Sequence, residues 1–491
     1  MIVLAFVALI AVLALLDFIN VNWGWKGDWR WPFLRDLVTT LREFDRFHDY
    51  AYETLDKFKM DHVTWKLGFY DVLVVTNPED VKHLLKDNWK NYVVAQGLRG
   101  DALEDLLGNG IFHADGHHWF VQRKHASREF SANIFRTFMT LEFVEQTNKL
   151  ASLIRRQEGN VIDLHGLFFR LTLDAFGKIA FGLEFGGLDG NPIPFAAAFD
   201  RAQELSAQRI AQKPPFWWKM QRLLRVPGGE GEMRQCLTVI NQFVTKLVAD
   251  RRKAPELASK EDLLSKLMMA SEADKEIDPN ERDRYLRDMT INFIIAGRDT
   301  TACALSWFFY EMTKNPQVEK KLVEELDLVL EGKPISFDTL AECQYLTACL
   351  SETLRLHPSV PFNPKTAVEA DVFPCGARIA KGSSVAYLPY CMGRMKSIWG
   401  EDAQEFRPER WLSGENGSFV REDQCKFTAF QAGPRVCLGL DMAMLEMKVV
   451  VGTILPQFTF ELLEEPHYRV GLVLQMRDGL KLRVRNRKKQ S

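Results

Sequence analysis

Cys437 sits in FQAGPRVCLG, Phe430 to Gly439, between two glycines and just after Arg435. A cysteine placed this way could be an apolar filler, half of a disulfide, a zinc ligand, a nucleophile or the axial ligand of a cofactor. The 491-residue chain has eight scattered cysteines and no CxxC pair. That argues against a zinc ribbon, a thioredoxin-like centre and a disulfide framework, and it suits a reducing compartment. The apolar run LGLDMAMLEMKVVVGTIL follows and predicts a helix beginning near Cys437. Unsatisfied N–H groups and the dipole at its first turn would favour a thiolate, the form that ligates metals. Gly433 permits a left-handed turn, and Gly439 lets the backbone approach a flat cofactor closely. Arg435 is placed to reach an anionic edge of such a group. A metal-ligating thiolate is the favoured reading, with a buried structural cysteine as the alternative.

Three further constellations carry chemistry. In SETLRLHP, Glu352 and Arg355 share one helix face, and Arg410 in FRPERW is a candidate third member. A surface ion pair is the bland alternative. The surrounding AECQYLTACL suggests burial, where such a pair needs more partners. In INFIIAGRDTTACALSWFF, Gly297, Arg298, Asp299, Thr300 and Thr301 interrupt an apolar helix. Glycine and threonine there divert the backbone ladder, and an acid beside an alcohol can relay protons to a ligand. An ordinary kink, or an N-cap joining two helices, explains the same residues. In HHWFVQRKHASREF, Trp119 and Arg123 lie one helical turn apart and could address an anionic group together.

These residues need a scaffold. Hydrophobic residues make up 46 % of the chain and charged ones 26 %, the balance of a globular protein with a large core. A net charge of −2 gives no reason to expect nucleic-acid binding. The first sixteen residues carry no charge, and Trp23, Trp25, Lys26 and Arg30 follow. No basic n-region or cleavage site is evident, so an uncleaved membrane anchor is expected over 1–25, with the rest on the cytoplasmic side. Val63 to Lys86 reads as two strands and a helix with Asn77 as N-cap and Pro78 first. Apolar residues recur at helical spacing from about 116 to 358, with long helices at Asp283 to Lys314 and Cys343 to His357. Thr366 to Pro389 reads as short strands, and Asp478-Gly479 predicts a two-residue hairpin. The expectation is a mainly helical domain with small β-sheets near both ends.

The four motifs, in this order, resemble the cytochrome P-450 superfamily over nearly the whole chain. DLLGNGIFHADGHHW, YCMGRMKSIWGEDAQEFRPERWL and LRLHPSVP are similar to its microsomal fatty-acid ω-hydroxylase and alkane-hydroxylase clan. Two departures stand out: no proline-rich hinge follows the anchor, only Pro32, and His118 stands where an acid is common. The resemblance implies a triangular-prism fold, with anchor 1–25, linker 26–45 and haem-thiolate domain 46–491. It implies Cys437 as the thiolate ligand of haem b. Glu352, Arg355 and Arg410 would support the loop, and Asp299 and Thr300 would supply protons. Trp119, Arg123, Lys365, Phe430, Gly433, Arg435 and Gly439 would hold the cofactor. Ala296, Gly297, Val360, Pro361 and Val473 would line the substrate pocket, with Arg99 toward a carboxylate. The segment Lys213 to Lys219 would dip into the membrane. The resemblance also implies O2, NADPH through a flavoprotein reductase, cytochrome b5 as a further partner, and the endoplasmic reticulum membrane. The implied reaction is terminal or near-terminal hydroxylation of a fatty acid. Rearrangement of lipid hydroperoxides, oxidation of an alkane or sterol, and non-catalytic haem or sterol binding are the alternatives.

Overall fold

The computed structural model describes residues 11–19, 22, 30–31, 35–67, 70–130, 133–211, 217–225, 228–253, 262–414 and 417–488. One helical run joins the two largest apolar clusters. Its first half, Arg282–Ile294, packs in a cluster with Phe176, Phe199 and Ile240. Its second half, Thr300–Lys314, packs in another with Phe168, Leu350 and Val450. Between them Ile295–Asp299 opens into a π turn, where glycine and threonine were expected to divert the ladder. Gly297 is required there, because a Cβ would come within 2.2 Å of the Phe176 ring. The Thr300 hydroxyl donates to the Ala296 carbonyl at 2.6 Å, so a side chain takes up an acceptor within the irregular turn.

The expected helix after Cys343 spans Gln344–Leu356. Asn77 caps Pro78–Lys82 by accepting from the Glu79 N–H at 2.9 Å. A five-stranded sheet runs in the order His62–Leu67, Tyr70–Val75, Ser384–Tyr387, Asn363–Ala367, Tyr92–Val93. The hairpin expected at Asp478-Gly479 does not form. Lys481–Asn486 pairs instead with Phe458–Leu462 and Val161–Asp163. The preceding run is pinned elsewhere: Leu474 N–H donates to Ser359 O at 2.9 Å, and Trp307 Nε1 donates to Leu474 O at 2.8 Å.

The stretch expected as a linker is tied to the first strand over its described residues. Arg30 donates to Asp36 and to Thr64 O at 2.9 and 2.7 Å, and Lys66 N–H donates to Asp36 at 2.8 Å. No helix among the described residues is long and apolar enough to cross a membrane. Residues 1–10, 20–21 and 23–25 of the expected anchor, Trp23 and Trp25 included, and residues 213–216 of the expected membrane-dipping segment, lie outside those described.

Candidate active site

The cysteine loop passes through short turns at Thr428–Phe430 and Gly433–Arg435 and enters the Leu440–Ile454 helix with Gly439 as N-cap. Cys437 N–H donates to Phe430 O at 2.9 Å. Gly433 has φ +67°, and a Cβ there would meet Leu85 O at 2.1 Å, so only glycine fits. A Cβ on Gly439 would stand 4.0 Å from Cys437 Sγ, which leaves one face of the sulfur close to bare backbone. Cys437 is exposed, but the surface it exposes lines an internal cavity. Burial pushes its thiol up, and the Gly439 N–H and Arg123 only partly offset this. Burial thus opposes the thiolate that the helix end was expected to favour. The helix begins beyond the cysteine, at Leu440.

The cavity has a volume of ≈ 240 Å³. Ile111, Phe112, Phe176, Phe293, Leu354 and Val360 give it apolar walls. Arg99, Arg123, Lys365 and Arg435 also line it. Arg435 bonds Asp115 Oδ1 at 2.6 Å and lies 4.6 Å from the Trp119 ring centroid, with Arg123 5.8 Å from the same ring. Arg435 Nε is buried without a partner among the described residues. Arg99 reaches only carbonyl oxygens, of Val94 at 3.2 Å and Phe112 at 3.5 Å. Lys365 is 7 % exposed and its side chain has no hydrogen bond or ion pair among the described residues. Burial, with Arg435 and Arg99 adding repulsion, pushes it down to about 7. Burial and Arg435 likewise push Arg99 down to about 10. Arg99, expected near a substrate carboxylate, thus stands in the same cation group as Arg435 and Lys365.

Beside the loop, Glu352 is fully buried and accepts five hydrogen bonds. Arg355 donates to both its oxygens at 2.7 and 2.8 Å, and Arg410 at 2.8 Å. The Arg407 N–H donates at 2.8 Å and Trp411 Nε1 at 2.9 Å. Arg355 also donates to the carbonyls of Gly393 and Glu405, which fixes the segment leading to the loop.

On the central helix Thr300, Ala296 and Gly297 line the cavity, and Asp299 does not. Asp299 is fully buried, accepts from Gln203 Nε2 at 2.7 Å and lies 3.4 Å from Arg298 Nη1. Burial pushes its carboxyl up to about 6 against the pull of Arg298. Trp119, Arg123, Lys365, Phe430, Arg435 and Gly439 line the cavity as expected, while Gly433 lies behind it against Leu85. Val360 lines it, whereas Pro361 and Val473 do not. Val473 is buried in the wall because its neighbour Leu474 is bonded to both Ser359 and Trp307. Sequence reasoning passed over Glu446, a buried wall residue whose carboxyl burial holds far above the usual range, with one oxygen unpartnered. Its signal was a lone acid in the middle of an apolar helix.

These residues fit haem b. A single thiol faces an apolar cavity, Gly439 leaves bare backbone beside the sulfur, and of the four cations lining the cavity only Arg435 is bonded to a carboxylate, Asp115, among the described residues. That imbalance suits a group that brings two carboxylates of its own. Comparison with known proteins agrees. The family model described as Cytochrome P450 matches residues 27–476. The chain is 37 % identical to Cytochrome P450 704C1 of Pinus taeda, over 94 % of this chain and 93 % of the relative. It is 35 % identical to Cytochrome P450 704B1 of Arabidopsis thaliana, over 95 % and 96 %. It is 37 % identical to Cytochrome P450 94A1 of Vicia sativa, over 84 % and 82 %. A cysteine loop braced by Glu352, opening on a cation-rimmed cavity, and a match that spans almost the whole sequence lead to one conclusion: the chain belongs to the cytochrome P450 family.

Proposed function

We propose that this P450 monooxygenase hydroxylates a fatty acid at or near its terminal carbon. The observation that carries the reading is one cavity combining the Cys437 thiol, the cation rim and an apolar wall that also presents Thr300. Haem b, when bound through Cys437, supplies oxygen activation, because a thiolate ligand donates electron density that favours O–O cleavage. Arg99, Arg123, Lys365 and Arg435 bind its carboxylates, and the Glu352–Arg355–Arg410 set holds the loop in register. Thr300 holds a proton at Oγ1 on the cavity wall, and Asp299 is its source. Phe112, Phe176 and Phe293 give an acyl chain an apolar seat.

Electrons come from NADPH through a flavoprotein reductase, with cytochrome b5 as a further donor. The anchor 1–25 and linker 26–45 hold the catalytic domain, 46–491, on the cytoplasmic face of the endoplasmic reticulum. Exposed Val12, Leu13, Leu15 and Leu16 support a lipid contact there, as do Trp217, Met220, Leu223 and Leu224 on the short Trp217–Leu224 helix. Cys437→Ser tests the core of the reading. Loss of the red-shifted Soret band of the ferrous–CO complex is expected, and its retention would sink the assignment. Spin-shift titration against fatty acids, alkanes and sterols, with product analysis in the presence of reductase, tests the substrate. Turnover without reductase would favour hydroperoxide rearrangement.

A further inference from the structure

A second cavity, ≈ 420 Å³, lies against another face of the central helix and is lined by His165, Phe169, Ala197, Asp200, Arg298 and Arg469, among others. Arg298 is 4 % exposed and grips Asp200 with two hydrogen bonds, at 2.6 and 3.0 Å. The same Nη1 stands 3.4 Å from Asp299 Oδ1, which accepts no hydrogen bond. Arg298 Nε is buried without a partner, and the Phe169 ring centroid lies 5.0 Å from the guanidinium. Asp200 is 44 % exposed and Asp299 is not exposed at all. One guanidinium thus stands between a water-facing acid and a buried one, and it bonds the outer acid better.

We propose that this second cavity is the solvent antechamber of the proton relay, and that Asp200 is a positioning residue. By holding Arg298 it keeps the guanidinium from closing on Asp299. Asp299 lines neither cavity and stands behind Arg298, so a proton from antechamber water reaches it past the guanidinium and is passed toward Thr300, the next residue, on the first cavity. The inference rests on the acid–alcohol reading of Asp299 and Thr300.

Charge chemistry supports this division of labour. A guanidinium does not release its proton at neutral pH, so Arg298 serves as a gate rather than a carrier. Arg298 pulls the Asp299 carboxyl down, whereas burial and Asp200 push it up. Of the other groups here, Arg170 adds an exposed cation to the cavity wall, and the rest carry no free charge at neutral pH. Gln203 is neutral, burial holds Cys303 as a thiol, and burial pushes His165 down to about 4. Arg469 is paired with Glu204.

The test uses the holoenzyme with its reductase. The Asp299 carboxyl band, assigned by its loss in Asp299→Asn, is titrated by infrared difference spectroscopy. In Asp200→Asn the freed guanidinium turns to Asp299. Its midpoint should fall by about one pH unit and turnover roughly tenfold, the equivalence of one pKa unit. Peroxide formed per NADPH and the solvent deuterium isotope effect should rise. Ala197→Phe fills the antechamber without changing a charge, so it should raise the isotope effect and leave the midpoint in place. The ferrous–CO band checks that each variant is folded. If Asp299→Asn uncouples turnover while both other variants behave as the parent, the antechamber is wrong and the relay stands. If Asp299→Asn itself couples normally, the relay reading fails and takes this inference with it.

Discussion

Two charge clusters flank the cysteine loop, and they are satisfied to opposite degrees. Around Glu352 every charge is hydrogen-bonded: five donors between 2.7 and 2.9 Å converge on one carboxylate. Around the cavity rim stand four cations, of which only Arg435 is bonded to a carboxylate, Asp115, and the Lys365 side chain has no partner among the described residues. Buried charges are ordinarily paired or shift toward neutrality. The first cluster follows the pairing rule and is scaffold. The second shows the shift, with Lys365 at about 7, and is a site shaped for an anion that the chain does not supply.

Breaking the matched cluster should have the largest effect. Glu352→Gln removes the charge that compensates Arg355 and Arg410 while keeping the side-chain volume. Removing one partner of a buried pair costs about 3–5 kcal/mol. Denaturant unfolding should show a loss of that size, together with decay of the thiolate CO band as the loop detaches. A loss below about 1 kcal/mol would mean that the pairing is ornamental.

The unmatched cluster should respond with opposite signs in the two forms of the protein. Lys365→Met relieves repulsion with Arg99 and Arg435, so the haem-free protein should become more stable. The same change removes a charge-assisted contact to a cofactor carboxylate, worth about 1.5–3 kcal/mol, so haem affinity should fall roughly 10- to 100-fold. Calorimetry of the haem-free form and competitive haem transfer read the two effects separately. Destabilisation of the haem-free form would place Lys365 with Glu352 as scaffold.

The same contrast explains what could be read from the sequence. The cysteine loop, the Glu352–Arg355 spacing and the interruption at Gly297 were legible because each depends on residues close in sequence. The π turn over Ile295–Asp299 follows from side chains within that turn and one ring, Phe176, packed on it. Asp200 and Asp115 were not legible. Each acts on an arginine far along the chain, Arg298 and Arg435, and nothing in either local sequence announces the partner. Asp478-Gly479 misled for the same reason. Its turn chemistry favours a hairpin, but Trp307 and Ser359 hold the incoming run in place. Local propensity yields where tertiary hydrogen bonds are stronger. Burial works against the expected Cys437 thiolate because a helix dipole acts only near the helix end, whereas burial acts on the whole side chain.

The smallest effect, read per pH unit, separates the clusters without any mutation. Lys365 sits at about 7 in the haem-free fold and near 10.5 when unfolded. Between these values the unfolded chain holds a proton that the fold gives up. The contribution of Lys365 to stability is therefore complete above 10.5, is lost as pH falls through 7, and is flat below that. The slope is at most about 1.4 kcal/mol per pH unit. Arg99, at about 10, falls in the same direction at the alkaline end. Asp299 runs the other way: its folded value of about 6 lies above the ordinary 3.8, so its penalty grows as pH rises between those values and is constant above 7. It does not disturb the window from 7 to 10. Cofactor carboxylates on the rim would return Lys365 to its charged form and flatten the curve. Relative to the haem-loaded form and to Lys365→Met, haem-free protein should thus lose stability from pH 10 to pH 7, a difference in which the titration of the buried cysteines common to all three cancels. Parallel curves for all three would mean that the rim is not where the cofactor's charge is held.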